Sequence, residues 1–250
     1  LITSLEAIES NIPTKYDNTT ASQQEGANPN KGRINYYGWA SLLADIYLWK
    51  GEFDKCIDMT TRVIESGQYS LVPVARTEVL SYNIETGRTD TVYEAQQGDV
   101  VAMFNTTYAQ GNSVESIFEL QNPSTYINPF VSMFSANVAN QIEVNQASFS
   151  NEYFIPSNID RIWRDIRTEG IAFQGKFVWK WAGLNNTSSP VQWRTTSTSN
   201  SNWIFYRLAD VMLMKAEALT QKAMANNNQE QLLQALELVQ KIRARGNAPE

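Results

Sequence analysis

The clearest hydrophobic pattern in the chain runs from residue 35 to residue 67 and has the period of an α-helix. Apolar residues recur there every three or four positions, which places them on one helical face. The pattern breaks at Gly51 and stops at Gly67, a residue type that often ends helices. We therefore predict two helices. Their packing faces consist of Trp39, Leu43, Ala44, Tyr47, Leu48 and Trp49 in the first and Phe53, Cys56, Ile57, Met59, Val63 and Ile64 in the second.

Small and aromatic residues around Gly51 indicate how these two helices pack. Ala44 and Cys56 are small enough to let the helices approach, while Tyr47 and Phe53 are large enough to fill the groove between them. This spacing is typical of a tetratricopeptide helical hairpin.

A second, weaker pattern of the same kind covers residues 204–246. The segment from Lys222 to Gln229 is rich in Asn and Ala and is predicted to link its two helices. Since helical repeats need neighbours to bury their faces, and the two hairpins are not consecutive, we expect further helical units outside this chain. The predicted packing faces are Leu208, Val211, Met212, Lys215, Ala216 and Leu219, followed by Leu232, Ala235, Leu236, Val239 and Ile242.

The remaining sequence is mostly irregular. Residues 1–12 resemble the tail of a helix, and residues 15–33 read as a polar loop. Between the hairpins, residues 116–121 predict a short buried strand or a helix end, and residues 176–183 alternate as a strand does. Long irregular loops are uncommon in compact domains unless they are functional. The sequence thus predicts a mostly α fold of tetratricopeptide-like hairpins with long irregular loops and a few short strands.

Charge and composition exclude several classes of function. The 250-residue chain has 20 Lys and Arg against 26 Asp and Glu, a net charge of -6, so we expect no binding to nucleic acid. Histidine is absent, which removes the commonest metal ligand and the usual general base near neutral pH. The single cysteine, Cys56, can form no internal disulfide. Because common nucleotide-binding and hydrolase motifs are also missing, we expect no enzymatic activity, no cofactor and no metal site.

The sequence predicts no membrane-spanning segment. Charged residues such as Asp45, Lys50 and Lys215 interrupt the long apolar stretches. The chain begins at Leu1 without a basic and apolar leader and stops directly after a helical pattern, so we expect a fragment that lacks both ends. Membrane attachment would then require a lipid on a residue outside this chain.

Four motifs along the chain resemble those of the SusD/RagB family. The first hairpin ends in a pattern similar to Ile-x-Ser-Gly-x-Tyr-x-Leu, and a Glu-x-Ile segment, an Asp-Arg pair and a last helical repeat follow. Each motif alone is weak, but their order and spacing together are specific. The matching positions are Ile64, Ser66, Gly67, Tyr69 and Leu71; Glu115 and Ile117; Asp160 and Arg161; and Tyr206, Arg207, Ala209, Asp210, Ala216, Glu217, Ala218, Ala235, Ile242, Arg243 and Arg245.

This resemblance implies a function and a location. It implies an outer-membrane lipoprotein, exposed on the cell surface, that binds oligosaccharide or polysaccharide and delivers it to a SusC-like TonB-dependent transporter. The chain would be a single, incomplete SusD-like domain over residues 1–250, with helical hairpins at 35–67 and 204–246 and a loop-rich ligand-binding region at 71–203. The alternatives are a helical-repeat scaffold that binds a peptide or a protein, and a glycoside hydrolase that cleaves its ligand.

Aromatic residues of the loop-rich region are the candidates for ligand contacts. A sugar ring packs its C–H groups on an aromatic face, while amide and guanidinium groups bind its hydroxyls. Trp193 lies in a polar loop beside Arg194, and Trp181 ends a strand-like alternation, although each tryptophan could instead pack on the core. The predicted ligand-binding residues are Trp193, Trp181, Tyr126, Phe130, Phe134 and Arg194.

Overall fold

The fold is described from a computed structural model of the chain. The described residues are 2–17, 28–83, 87–95, 97–122, 128–129, 131–134, 142–143, 145, 172–174, 177–178, 180, 184–185, 192–193 and 200–246. Helices dominate the regular structure among them, which confirms the predicted mostly α fold class.

The elements follow one another in this order along the chain. The helices are α1 (Ile2–Ala7), α2 (Pro29–Gly32), α3 (Tyr36–Trp49), α4 (Phe53–Ile64), α5 (Gln97–Phe104), α6 (Val131–Phe134), α7 (Leu208–Asn226) and α8 (Gln229–Arg245), with a 3₁₀ turn at Glu9–Asn11 and a π-helical turn at Asn105–Gln110. The strands are β1 (Arg76–Asn83), β2 (Arg88–Ala95), β3 (Ser116–Leu120), β4 (Phe173–Gln174), β5 (Phe177–Val178), β6 (Leu184–Asn185), β7 (Gln192–Trp193) and β8 (Trp203–Arg207).

The first hairpin, formed by α3 and α4, is present as its sequence pattern predicts, although α4 ends at Ile64, three residues before the predicted stop at Gly67. Asn35 caps α3, because its side chain accepts a hydrogen bond of 3.0 Å from the backbone N–H of Gly38. Gly51 joins the two helices at a φ of 72°, a left-handed conformation that glycine adopts without strain. Trp39 and Tyr47 of α3 are almost completely buried against α4.

The short helix α1 packs against this hairpin and satisfies its buried polar groups. The indole N–H of Trp39 donates to the backbone carbonyl of Leu5 at 2.8 Å, and the hydroxyl of Tyr47 donates to Glu6 at 2.6 Å. Burial and the Glu6 carboxylate raise the pKa of Tyr47 above its ordinary value, so the hydroxyl remains a donor. The predicted helix tail is therefore α1 with the 3₁₀ turn that follows it, and both lie before Pro13.

The second hairpin, α7 and α8, packs directly on the first. Helices α4 and α7 run antiparallel, since Asp54 at the start of α4 pairs with Lys222 near the end of α7. Cys56 lies 3.9 Å from the carbonyl oxygen of Met214, so the two helices approach closely at this small side chain. The two hairpins are distant in sequence, yet each buries part of the apolar face of the other.

Strands β3 and β8 form an antiparallel pair beside the helices. Ile117 of β3 is completely buried in the same core as α3 and α4. The register shifts on both sides of Phe118, which marks a β-bulge. Of the two alternatives predicted for residues 116–121, a strand or a helix end, the structure shows the strand.

A second, smaller core includes α5 and the π-helical turn. Its buried residues are Val72, Val100, Met103, Phe104 and Tyr108. Elsewhere, β1 and β2 form a two-stranded antiparallel ribbon, and β4 pairs with β5 and β6 with β7 over two residues each. Of the strand predicted over residues 176–183, the structure describes Phe177 and Val178, which form β5, and Lys180, which lies in a turn.

The prediction that Trp49 belongs to the helical core is wrong. Its side chain is 87% exposed, whereas Tyr47 is buried on the same helix. A separation of two residues corresponds to about 200° around the helix axis, so the two side chains point in nearly opposite directions.

The junction of α7 and α8 also differs from its prediction. The segment 222–229 was predicted to link the helices, but α7 continues to Asn226 and only two residues connect it to α8. Asn227 ends α7 in the left-handed conformation, with a φ of 52°. Asn228 caps α8 by accepting a hydrogen bond of 3.2 Å from the N–H of Gln231. The asparagines act here as helix caps, a role that their side chains favour.

The packing face of α8 is only partly the predicted one. Ala235 and Val239 pack towards α7, and Leu238 joins them although it was not predicted. Leu232 and Leu236, predicted on this face, are exposed because they lie to one side of the line that faces α7. Residues 204–207, predicted at the start of the hairpin, belong to β8.

Within the part of the chain that the structure describes, no helix has the length and apolar character needed to cross a membrane.

Truncation of a buried leucine tests the packing of the first hairpin. Leu43 has no exposed surface, so Leu43→Ala should leave a cavity and lower the free energy of unfolding by about 2–5 kcal/mol. Leu233→Ala, at an exposed position of α8, is the control and should change it by less than about 0.5 kcal/mol. Urea denaturation followed by circular dichroism measures both, and equal effects would contradict the packing described.

The reactivity of Cys56 tests the interface between α4 and α7. Burial, more than the nearby Glu217 and Asp45, raises the pKa of the Cys56 thiol to about 12. Since the thiolate is the reactive form, a thiol reagent at mildly alkaline pH should react far more slowly with the folded protein than with the protein in concentrated urea. The signal belongs to one residue because the sequence has a single cysteine. Equal rates in the two conditions would show that the thiol is accessible.

Candidate functional site

A buried carboxylate, Glu115, joins four segments of the chain. It has no exposed surface, and one carboxylate oxygen accepts a hydrogen bond of 2.8 Å from the N–H of Val72 and pairs with Arg245 at the end of α8. The other oxygen lies 3.5 Å from Arg207 at the end of β8. The backbone carbonyl of Glu115 accepts from the N–H of Leu208 at 2.8 Å. These contacts fix the segment after α4, the start of β3, the β8–α7 junction and the end of α8.

The ring of Tyr108, in the π-helical turn, lies between two cations. The Arg207 guanidinium is 5.4 Å from the ring centroid and the Lys180 ammonium is 5.1 Å from it, both within the range of cation–π attraction. Asp210 accepts a hydrogen bond of 3.2 Å from the backbone N–H of Arg207 and forms an ion pair with its side chain, also at 3.2 Å. Burial lowers the pKa of Lys180, and Arg207 lowers it further while Asp210 acts in the opposite direction. Lys180, which directly precedes Trp181 in the sequence, is therefore anchored on the core that contains Tyr108.

A second buried carboxylate, Glu119, lies on β3. It accepts a hydrogen bond of 2.9 Å from the N–H of Asn112, one of 2.7 Å from the side-chain amide of Asn202, and one from the hydroxyl of Ser116. Gly111 has a φ of 70°, and a Cβ atom there would lie 2.5 Å from the amide nitrogen of Asn202. A residue with a side chain would displace Asn202 from Glu119.

Asparagine side chains connect the chain just after β3 to the chain just before β8. The N–H of Asn122 donates to the side-chain oxygen of Asn202 at 2.9 Å, and the Asn122 side chain donates to the Ser201 carbonyl at 2.9 Å. The Asn128 side chain donates to the same carbonyl at 2.7 Å. We call Asn122, Asn128, Ser201 and Asn202, together with Glu119, the asparagine clamp.

Two of the six predicted ligand-binding residues lie within the described residues. Trp193 ends β7, where its backbone pairs with Leu184 of β6. Phe134 ends α6 and is 9% exposed, so little of its ring is open to a ligand. The other four predicted residues lie outside the described residues: Trp181, Tyr126, Phe130 and Arg194. The ligand-binding role of all six stays a prediction.

An exposed aromatic pair lies outside the set that the sequence predicts. Phe205 of β8 is half exposed, and its ring stacks on that of Phe118 with centroids 5.2 Å apart and planes inclined by 23°. The next residue, Tyr206, instead donates its hydroxyl to Asp45 of α3 at 2.9 Å. The run of aromatic and β-branched residues in the segment WIFYR, residues 203–207, was the available signal that β8 is a strand.

The described residues around β3 serve to hold the structure together. Glu115 and Glu119 are completely buried and already accept hydrogen bonds, so neither is placed to attack or protonate a substrate. Among the residues that the structure describes, no three or more Asp, Glu and Cys side chains are grouped so that they could hold a metal ion. The arrangement fixes the two ends of the irregular segment that carries the predicted ligand-binding residues.

Comparison with known proteins gives one family and several similar folds. A family model described as the SusD family matches residues 101–250, and a comparison with curated protein sequences gives no match. A SusD superfamily structure from Parabacteroides distasonis is 18% identical with a TM-score of 0.60, covering 99% of this chain and 49% of that one.

Two further solved structures have descriptions that refer to carbohydrate. A putative sugar binding protein from Bacteroides vulgatus is 16% identical with a TM-score of 0.57, covering 98% of this chain and 44% of that one. Surface glycan-binding protein A from Bacteroides uniformis is 16% identical with a TM-score of 0.53, covering 99% and 49%. At these identities the structures show a shared fold alone. The chain spans less than half the length of each of the three structures.

Removal of the Glu115 carboxylate tests the buried network. Glu115→Ala would remove the carboxylate that pairs with the buried Arg245 and would leave Arg207 with Asp210 as its counter-charge, so the free energy of unfolding should fall by about 3–5 kcal/mol. Glu52→Ala is the matched control, since Glu52 pairs with Lys55 near the surface and its loss should leave the urea midpoint nearly unchanged. A Glu115→Ala midpoint equal to that of the control would rule out the central role of this network.

Proposed function

This chain belongs to the SusD family, and we propose that it is the binding portion of a cell-surface protein that captures oligosaccharide or polysaccharide without cleaving it. The observation that carries the proposal is the family match over residues 101–250, a range that includes much of the loop-rich region and the whole second hairpin. The descriptions of two similar structures, a sugar-binding and a glycan-binding protein, support the choice of carbohydrate.

The proposed binding surface is built from aromatic side chains of the loop-rich region. Trp193, Trp181 and Tyr126 would stack on sugar rings, with Phe130 and Phe134 beside them, and Arg194 would bind hydroxyl groups. The pairing of β6 with β7 supports a role for Trp193, because a fixed backbone lowers the entropy cost of ordering a binding side chain.

We further propose that the bound glycan passes to a SusC-like TonB-dependent transporter. The whole protein would be an outer-membrane lipoprotein, exposed on the cell surface and attached through a lipid on a residue outside this chain. Weak affinity for each sugar unit would then suffice, since tethering the protein beside the transporter raises the effective concentration of the glycan.

A panel of polysaccharides tests carbohydrate binding and the absence of cleavage together. Native gels containing soluble starch, xylan, mannan, barley β-glucan, polygalacturonan or mucin O-glycans should show retarded migration of the protein in at least one of them. The same mixtures should release no reducing ends. Migration unaffected by every polysaccharide would contradict the proposal and leave a peptide or protein ligand as the alternative, while released sugars would show an enzyme.

Substitution of Trp193 tests the proposed surface. In the gel that retards the wild-type protein, Trp193→Ala should reduce the affinity by about tenfold, since loss of a stacked aromatic ring costs on the order of 1 kcal/mol or more. Trp49→Ala is the matched control, because Trp49 is a highly exposed tryptophan on α3, outside the loop-rich region. Equal retardation of the two variants would exclude Trp193 from the surface.

A further inference from the structure

The asparagine clamp holds together two points that are far apart in the sequence. Asn122 and Asn202 are separated by 80 residues, and all six predicted ligand-binding residues lie between them. We infer that the asparagine clamp is a positioning element, which fixes the ends of this segment so that its ligand-contacting side chains meet the glycan in one arrangement. The inference rests on the proposed function, because it assigns a role in binding to residues that are themselves buried.

Each hydrogen bond of the clamp joins one of its residues to another. The side-chain oxygen of Asn202 accepts from the N–H of Asn122, while its amide nitrogen donates to Glu119. The Ser201 carbonyl accepts from both Asn122 and Asn128. Asn128, Ser201, Asn202 and Glu119 are buried, so water cannot readily replace these partners. The bond to Glu119 is charge-assisted and is the strongest single contact of the clamp.

The clamp also contacts the π-helical turn and strand β3. The hydroxyl of Ser201 donates to the carbonyl of Ala109 at 3.3 Å, in the π-helical turn, and Gly111 leaves the space that Asn202 occupies. Glu119 belongs to β3, whose Ile117 is buried in the core of the first hairpin. Through these contacts, the clamp fixes both ends of the segment relative to the helices.

Fixed ends matter for binding because they reduce the entropy that a ligand must remove. Strands β3 and β8 already hold Leu120 beside Trp203, and the clamp extends this constraint to Asn122 and Asn128 on one side and to Ser201 and Asn202 on the other. Residues released from the clamp would sample more arrangements than residues held in it. Ordering such residues at the moment of binding weakens the affinity, whereas preorganisation preserves it. Loss of the clamp should thus weaken glycan binding although no clamp residue contacts the glycan.

A pair of substitutions separates the hydrogen bond from the space that the side chains fill. Asn202→Asp replaces the donor to Glu119 by a second carboxylate and so breaks the bond with almost no change in volume. Adding Glu119→Gln to this variant restores the hydrogen bond in the reverse direction, because the amide at position 119 now donates to the carboxylate at position 202. Asn226→Asp, at an exposed position of α7, is the matched control because it adds the same charge at the surface.

Hydrogen exchange measured by mass spectrometry is the first readout. In Asn202→Asp, amides of residues 129–200 should exchange at least about tenfold faster, the change expected from the loss of about one charge-assisted hydrogen bond. Amides of α3 and α4 should be unaffected, and the double variant and the control should resemble the wild-type protein. Uniformly faster exchange, or no change in residues 129–200, would overturn the inference, since a merely structural contact destabilises the whole fold.

Retardation in the polysaccharide gel that retains the wild-type protein is the second readout. Asn202→Asp should weaken it by about tenfold and the double variant should recover it. Faster local exchange with unchanged retardation would show that the clamp does not position the binding residues. If none of the six polysaccharides retards the wild-type protein, the proposed function fails, while the exchange experiment still decides whether the clamp holds the segment.

Discussion

The buried charge of Glu115 is the constraint on which the rest of the described structure depends. A carboxylate without exposed surface is costly unless ion pairs and hydrogen bonds replace its water. Here the replacements are Val72, Arg207 and Arg245, which belong to three different parts of the chain. If any of these parts moved away, the buried carboxylate would lose an ion pair or a hydrogen bond. The fold is therefore held in register by one charge as well as by apolar packing.

Strand β3 extends this constraint from the helices to the loops. Glu115, directly before the strand, and Ile117 and Glu119 within it are all completely buried. Glu115 contacts the ends of β8 and α8, Ile117 packs in the helical core, and Glu119 accepts hydrogen bonds from Asn112 and Asn202. A single strand thus connects the scaffold to the segment that carries the predicted ligand-binding residues.

This arrangement separates the features that identify the family from those that would select a ligand. Helices α3, α4, α7 and α8 and strand β3 carry most of the recognisable motifs and pack against one another through their apolar faces. The aromatic residues proposed to bind glycan lie in the segment between β3 and β8. Such a segment can change its sequence without disturbing the scaffold, so membership of the SusD family does not by itself name the sugar.

The sequence by itself determined the helical hairpins and the family, because both depend on local information. A period near 3.6, Gly51 and the capping asparagine at position 35 fix α3 and α4 without reference to the rest of the chain. The outward position of Trp49 is encoded locally too, because it lies about 200° around the helix from the buried Tyr47. The motif residues that suggested the family lie largely in these same locally encoded elements.

Only the tertiary structure decided which polar residues meet. Nothing in the sequence pairs Glu115 with Arg245, or Asn122 with Asn202, because contacts between distant polar residues leave no periodic signal. Their partners depend on how the hairpins stack and on where β3 and β8 run beside each other. Local periodicity encodes the elements, and the pairing of buried charges and amides, which ties the candidate binding region to those elements, is fixed only when the chain is folded.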